Sequence, residues 1–173
     1  ACTPGAYCDE GAAAALPCPS GRFQNATLLE RNISMTSADD CVVCPAGSFC
    51  STGAAEATPC SPGSATPNTE AARCNMCAPG SYQDAEGATS CAVCPVASYC
   101  DVSGASAPTP CPGGTYGNST SLKAEGECTK VGPGFHSSLG SAKPEVCPVD
   151  AAGKPIDAFY CPGYEADTEF RGS

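Results

Sequence analysis

The sequence predicts a small disulfide-rich repeat protein, an elongated rod of short turn and β-hairpin units with little regular secondary structure. Three observations support this fold class. A short phrase that begins with cysteine recurs roughly every 17 residues, as expected of a repeat protein. Cysteine supplies 16 of the 173 residues, a share typical of disulfide scaffolds. Glycine (19 residues) and proline (17 residues) disfavour long helices and regular strands.

The recurring phrase is clearest at Cys44-Pro-Ala-Gly-Ser-Phe-Cys50. Its composition predicts a tight turn with Pro45 at the second position and Gly47 at the fourth. Further copies begin at Cys2, Cys18, Cys60, Cys77, Cys94, Cys111, Cys147 and Cys161, and a degenerate copy begins at Val131. The phrase therefore divides nearly the whole chain into short units.

An aromatic residue recurs five residues after the motif cysteine. Only six tyrosines and five phenylalanines are present, and six of them share this offset: Tyr7, Phe23, Phe49, Tyr82, Tyr99 and Tyr116. Since one aromatic ring buries about 150–250 Å², each ring is expected to form the small core of its unit. The copy at Cys60 has Ala65 at this offset, so we expect that unit to be the weakest. The copy at Val131 has Phe135 one position early and His136 at the usual offset.

Spacing divides the chain into three parts. Residues 1–41 form an N-terminal cysteine-rich unit with an expanded loop, and residues 42–128 form the regular repeats. Residues 129–173 contain degenerate repeats, which we expect to continue into a longer protein. Within the expanded loop, Thr27-Leu-Leu-Glu30 predicts one turn of helix, capped by Thr27 with Glu30 three residues later.

All sixteen cysteines are expected to form disulfides: Cys2, Cys8, Cys18, Cys41, Cys44, Cys50, Cys60, Cys74, Cys77, Cys91, Cys94, Cys100, Cys111, Cys128, Cys147 and Cys161. If Cys111 pairs with Cys128, the replacement of a cysteine by Val131 leaves no thiol unpaired, and Cys147 can pair with Cys161. By the same register Cys60 would pair with Cys74 and Cys77 with Cys91.

The extra cysteines Cys50 and Cys100 leave two pairing schemes open. In a local scheme Cys44 pairs with Cys50, and Cys60 pairs with Cys74. In an interleaved scheme Cys44 pairs with Cys60 and Cys50 with Cys74, and likewise Cys94 with Cys111 and Cys100 with Cys128. The spacing does not choose between the two schemes.

Three N-glycosylation sequons accompany the even number of cysteines, at Asn25, Asn32 and Asn118. Together these features predict the secretory pathway, an extracellular or cell-surface location and N-linked glycans. The net charge of −10, with only 8 Lys and Arg residues, disfavours nucleic acid as a partner. No apolar run approaches the roughly 18 residues of a membrane-spanning helix, so no membrane span is predicted in this segment.

Metal binding is the alternative to disulfides at three Cys-x-x-Cys pairs, which begin at Cys41, Cys74 and Cys91. Two thiolates at this spacing suit zinc, but secreted repeats seldom keep thiols reduced, so structural disulfides are preferred. Two acidic pairs, Asp39 with Asp40 and Asp167 with Glu169, lack a regular calcium-binding loop and are interpreted as solvated carboxylates.

Catalysis has little support in the sequence. His136 is the single histidine, and no serine or cysteine stands in a setting that would activate it as a nucleophile. We therefore expect a protein that is not an enzyme and uses no cofactor.

The hallmark phrase C-x-x-C-P-x-G-[ST]-[FY] occurs at 41–49 and more loosely at 74–82 and 91–99. This pattern resembles the ephrin-receptor-like cysteine-rich repeat, and it is similar to the first half of tumour-necrosis-factor-receptor cysteine-rich modules. Departures from the phrase are Ala65, Ala97 and Val131. The resemblance implies receptor ectodomains, adhesion proteins or large surface proteins of protists and algae, among them fibrous flagellar structures. Motif residues do not contact ligands in these families, so no binding residue is carried over.

Two functional hypotheses follow. The first is a structural, non-catalytic segment of a larger secreted or cell-surface protein, acting as a spacer or stalk, or as a building block of an extracellular fibre or surface coat such as flagellar hairs. Its partners would be other extracellular proteins or copies of itself. The alternative is a ligand-binding ectodomain of a receptor or adhesion protein. A cluster of exposed aromatic or arginine residues would favour the alternative. The arginines available for such a cluster are Arg22, Arg31, Arg73 and Arg171.

Overall fold

The computed structural model describes residues 3–9, 11, 13–31, 33–151 and 153, and nearly all of its regular structure is in two-residue strands. The strands are β1 Ala6–Tyr7, β2 Leu16–Pro17, β3 Arg22–Phe23, β4 Val42–Val43, β5 Ser48–Phe49, β6 Thr58–Pro59, β7 Ser64–Ala65, β8 Asn75–Met76, β9 Ser81–Tyr82, β10 Ala92–Val93, β11 Ser98–Tyr99, β12 Thr109–Pro110, β13 Thr115–Tyr116, β14 Thr129–Lys130, β15 Phe135–His136 and β16 Glu145–Val146. The prediction of short hairpin units with little regular secondary structure is confirmed.

Each odd-numbered strand pairs with the strand that follows it, and we number these pairs hairpins 1 to 8. In hairpin 3, for example, the strands are antiparallel, with Ser48 opposite Pro59 and Phe49 opposite Thr58. The first strand of a hairpin follows the motif turn, and the second strand ends immediately before the next motif cysteine or, after β14, before Val131. The motif is therefore the entry into a hairpin.

The motif turn lies one residue later than predicted. The Ser48 N–H donates to the Pro45 carbonyl at 3.1 Å, so Pro45 is the first turn residue and Gly47 the third. Gly47 has φ +80°, which a type II turn requires at its third position and glycine adopts without strain. The prediction of Pro45 at the second position and Gly47 at the fourth was wrong, because proline was read as the corner residue of the turn.

The described residues form two compact units. One lies within 1–78, 82–92 and 103–107, and the other within 79–81, 93–102 and 108–173. In each unit, the third residue of a motif turn donates its N–H to a carbonyl of the next hairpin. That carbonyl belongs to the residue directly after the first strand. In the first unit Gly47 bonds to Thr66 at 2.9 Å; in the second, Ala97 bonds to Gly117 at 2.8 Å. Backbone hydrogen bonds therefore join successive hairpins in a regular ladder.

A second repeated position, in the loops of hairpins 3 to 8, has a left-handed backbone. Its occupants are Gly53, Glu70, Gly87, Gly104, Ser121 and Gly140, each with φ between 60° and 81°. Their N–H groups donate to carbonyls of motif cysteines at 2.7–2.9 Å, as Gly104 does to Cys77. The two non-glycine residues, Glu70 and Ser121, thus stand where the repeat otherwise uses glycine to avoid a strained backbone.

Half-cystines, rather than the rings, form most of the core. Cys18, Cys44, Cys60, Cys94 and Cys111 are fully buried. Among the motif aromatics Tyr99 is buried, whereas Tyr7, Phe23, Phe49, Tyr82 and Tyr116 are half-buried. The expectation of one buried ring per unit was therefore wrong for most hairpins, because half-cystines take most of the buried positions.

The expanded loop of hairpin 2 folds over its own small cluster. Helix α1, Ala26–Glu30, begins at Asn25, whose side chain accepts from the Leu28 N–H at 3.3 Å. The predicted helix is present, but Asn25 caps it instead of Thr27, since an asparagine side chain reaches the first-turn amides from just outside the helix. Met35 is fully buried against Cys18 and Cys41, with Tyr7 and Leu28 packed alongside.

A capping box closes the same loop before Cys41. The Asp40 carboxylate accepts from the N–H groups of Thr36 at 2.7 Å and Ser37 at 3.0 Å. The Thr36 bond foremost, and then the Ser37 bond, hold the pKa of Asp40 below its ordinary value of 3.8.

Acid is expected to open this box. Because the folded pKa is depressed, the carboxylate's contribution is complete above pH 3.8 and is lost as the pH falls through the lower, folded value. Hydrogen exchange of the Thr36 and Ser37 amides should accelerate over that acid range beyond its intrinsic pH dependence. Asp40→Asn should remove this step, and an unchanged profile in that variant would contradict the assignment.

Candidate functional site: disulfide junctions and the second-strand face

The disulfides follow two patterns. In hairpins 2, 4, 5 and 7 the motif cysteine pairs with the residue just before the second strand: Cys18–Cys41, Cys60–Cys74, Cys77–Cys91 and Cys111–Cys128. In hairpins 3 and 6 it pairs with the residue just after the first strand: Cys44–Cys50 and Cys94–Cys100. Of the two schemes left open by the spacing, the structure has the local one.

Cys50 stands directly after the first strand of hairpin 3. Its Cα lies 6.0 Å from that of Cys44, a separation that a disulfide spans. Cys8 and Cys147 are also disulfide-bonded. Cys2 and Cys161 lie outside the described residues, as do Asn32, Asp167, Glu169 and Arg171.

Hairpin 8 lacks the motif cysteine. Val131 stands in its place and is buried, and Pro144 stands just before the second strand, where hairpin 5 has Cys91. Hairpin 8 therefore has neither cysteine of a disulfide equivalent to Cys77–Cys91. Across its strands His136 lies opposite Glu145, with 4.0 Å between His136 Nε2 and Glu145 Oε2.

The remaining predicted candidates have structural surroundings. Asp39 is exposed beside Asp40, whose carboxylate is engaged in the capping box. Arg22 forms an ion pair with Glu70, at 2.7 Å between Nε and Oε1, while Arg31 and Arg73 are exposed. Within the described part of the chain, no group of three or more His, Cys, Asp or Glu side chains is arranged to hold a metal ion.

Sequence reasoning missed one repeated surface feature, the exposed second strands of the hairpins. All of their residues are exposed, and in the first unit hairpins 1 to 4 contribute Leu16, Pro17, Val42, Val43, Thr58, Pro59, Asn75 and Met76. We call these eight residues the second-strand face. It carries no charge, although the chain is acidic, and Met76 is 69% exposed. Its signal in the sequence is an apolar residue directly before the motif cysteine.

The second-strand face lies against the left-handed loop residues. A Cβ built on Gly53 would be 3.5 Å from Cβ of Pro17, and one built on Gly104 would be 2.9 Å from the sulfur of Met76. The small loop residue therefore leaves the apolar side chain of another hairpin uncovered. In the second unit, β14 interrupts the apolar pattern with Lys130.

This combination defines the protein as a cysteine-rich repeat chain, built from disulfide-stapled hairpins. Residues 63–111 match the family model described as tyrosine-protein kinase ephrin type A/B receptor-like. The matched segment contains Cys77–Cys91 and Cys94–Cys100, and the ephrin-receptor-like resemblance predicted from the motif is confirmed for it. The ephrin-receptor-like cysteine-rich domain is a non-catalytic ectodomain type. A search among curated proteins gave no match.

The disulfides and the ectodomain match together point to an extracellular or cell-surface location. No helix within the described ranges is long and apolar enough to cross a membrane.

Proposed function

We propose that the chain is a structural, non-enzymatic spacer segment of a larger secreted or cell-surface protein, such as a stalk or a building block of a fibre or surface coat. The observation that carries this proposal is the hydrogen-bond ladder. Successive hairpins are joined by an equivalent backbone hydrogen bond, from Gly47 to Thr66 between hairpins 3 and 4 and from Gly63 to Gln83 between hairpins 4 and 5, for example. Bonds that repeat in this way fix the step from one hairpin to the next.

Disulfides supply the second property of a spacer, resistance to unfolding. Each of the six disulfides given above lies inside one hairpin, so the loss of one of these hairpins does not release a long stretch of chain. In a repeat array, stability is approximately a sum of unit terms and of interface terms between the units that touch. The partners of such a segment would be other extracellular proteins or copies of the chain itself.

A length-change experiment tests the spacer. Deletion of residues 44–93 joins Val43 to Cys94 and replaces Cys44–Cys50 by the equivalent bond Cys94–Cys100, so the repeat stays in register. The chain would be placed between a membrane anchor and a fluorophore, with energy transfer measured to an acceptor dye in the membrane. Transfer should rise with the deletion and fall with a duplication of 44–93. Equal transfer for all three lengths would rule out a spacer.

The second-strand face favours one alternative, a ligand-binding ectodomain. An exposed apolar surface without charge is typical of interaction sites, and Val42, Val43 and Met76 provide it here. Met76→Lys separates the two functions, because Lys130 occupies the equivalent place in β14 and shows that the fold accepts lysine there. The variant should leave the energy-transfer distance unchanged. Loss of cell-surface or extracellular-matrix binding in this variant, with unchanged spacing, would instead favour the ligand-binding function.

A further inference from the structure

One repeated position lies just outside the hydrogen-bond ladder, and its residues are nearly all exposed to solvent. It is the second residue after the motif aromatic or its replacement, and its occupants are Asp9, Asn25, Ser51, Pro67, Asp84, Asp101, Asn118 and Ser138. All are exposed except Asn25, which is half-buried. The residue before each of them belongs to the ladder, as Gly117 does by accepting from Ala97 and donating to Ser141. The chain therefore turns outward at this position.

Two sequons, Asn25-Ala-Thr27 and Asn118-Ser-Thr120, begin at this same repeat position. Their surroundings differ. Asn25 caps helix α1 through its Oδ1, and Thr27 is already part of that helix. Asn118, Ser119 and Thr120 are all exposed in irregular structure. The same sequence signal thus stands in a structured site in hairpin 2 and in an open site in hairpin 7.

At Asn118 the side-chain oxygen and nitrogen have separate surroundings. The Ser119 hydroxyl donates to Asn118 Oδ1 at 3.3 Å, which engages the oxygen and leaves Nδ2, the atom that accepts a sugar, directed away from that bond. Attachment of a sugar to Nδ2 therefore does not require the hydrogen bond between the Ser119 hydroxyl and Asn118 Oδ1 to break.

The loop that carries Asn118 is nevertheless anchored close by. The Ser121 N–H donates to the Cys94 carbonyl at 2.7 Å, its hydroxyl donates to the Gly80 carbonyl at 3.1 Å, and Leu122 packs against Tyr99. A group attached to Asn118 would therefore be held at a fixed place on hairpin 7, at the surface and without displacing the core.

We propose that Asn118 is an N-linked glycosylation site, and that its glycan projects from the outward-turning position of hairpin 7. In the reaction, Asn118 Nδ2 forms a bond to C1 of an oligosaccharide while the bond from C1 to its lipid-linked diphosphate breaks. The amide loses one proton, the lipid diphosphate leaves, and no oxidant or reductant is needed. The inference rests on the proposed function in one respect, the passage of the chain through the secretory pathway.

Secretion of the full chain from a eukaryotic host tests this site. Peptides would be mapped by mass spectrometry before and after enzymatic glycan release, which converts a glycosylated asparagine to aspartate. Wild type should show conversion at Asn118, Thr120→Ser and Asn25→Gln should retain it, and Asn118→Gln and Thr120→Ala should abolish it. Thr120→Ala is the sharpest variant, because it keeps Asn118 and changes only an exposed side chain.

Disulfide mapping of the same samples separates the two possible failures. A secreted chain with Cys94–Cys100 and Cys111–Cys128 formed but with Asn118 unmodified would overturn the glycosylation site and leave the spacer standing. Modification of Asn25 alone would also overturn it. Free thiols in an unsecreted wild-type chain would overturn the compartment, and both proposals with it.

Discussion

Reduction of the disulfides is expected to unfold the chain at neutral pH and room temperature. Closing a loop of about 15 residues stabilises a protein by roughly 3 kcal/mol, and domains have only about 5–15 kcal/mol of net stability. Cys60–Cys74 and Cys77–Cys91 each join cysteines 14 residues apart, and four further disulfides are described. The apolar side chains contribute little that could replace them, because most buried large positions are half-cystines.

Hydrogen exchange with and without a phosphine reductant provides the measurement. Amides of the ladder, such as those of Gly63 and Gly104, should be protected in the oxidised chain and exchange at nearly unfolded rates in the reduced chain. Iodoacetamide-blocked, reduced protein should behave in the same way. Retained protection after complete reduction would show that the apolar surface and the ladder hold the fold without the staples.

Hairpin 8 is an internal control for this experiment. Val131 and Pro144 replace the cysteines of its disulfide, so reduction removes no bond between those two positions. It should lose protection when the stapled hairpin 7 before it, closed by Cys111–Cys128, unfolds, and when the disulfide of Cys147, directly after its second strand, is reduced. In the variant with Cys111→Ser and Cys128→Ser, hairpin 8 should therefore lose protection even under oxidising conditions.

The sequence was sufficient to predict the hairpins, because their determinants are local. A turn, two strand residues and a pair of cysteines lie within about 17 residues, and the phrase repeats often enough to be read without any other information. Local pairing of Cys44 with Cys50 could not be predicted, since spacing alone permits several connectivities. The pairing became clear only from the structure, where Cys50, directly after β5, has its Cα 6.0 Å from that of Cys44.

Contacts between hairpins were the part that the sequence concealed. The backbone carbonyl that a turn glycine approaches most closely lies two hairpins later, as that of Gly104 does for Gly63. Irregular loop lengths, and the residues Glu70 and Ser121, obscure the second glycine position in the sequence. Burial was equally hard to predict. Of the two methionines, Met35 is fully buried and Met76 is 69% exposed, and only the fold of the expanded loop distinguishes them.

Gly63→Ala should be among the most damaging single substitutions outside the cysteines. Gly63 has φ +86°, and a Cβ at this position would stand 2.1 Å from the carbonyl oxygen of Gly104. The oxygen belongs to backbone that is itself bonded to Cys77, so it cannot move aside without breaking the Gly104–Cys77 hydrogen bond. We expect a loss of more than about 3 kcal/mol in the free energy of unfolding.

Gly114→Ala is the matched control, because it isolates the backbone term. Gly114 has nearly the same φ, +82°, but no atom lies within 4 Å of its Cβ position. The substitution should lower the free energy of unfolding by about 1 kcal/mol, the penalty of an alanine in the left-handed region. Ala97 already adopts this backbone conformation in hairpin 6, at φ +68°. Denaturant unfolding of the two oxidised variants gives the comparison, and exchange at the Gly104 amide locates the damage. Equal losses would mean that backbone strain alone sets the cost. A larger loss for Gly63→Ala, with faster exchange at Gly104, would show that close backbone packing between hairpins two steps apart holds the array together.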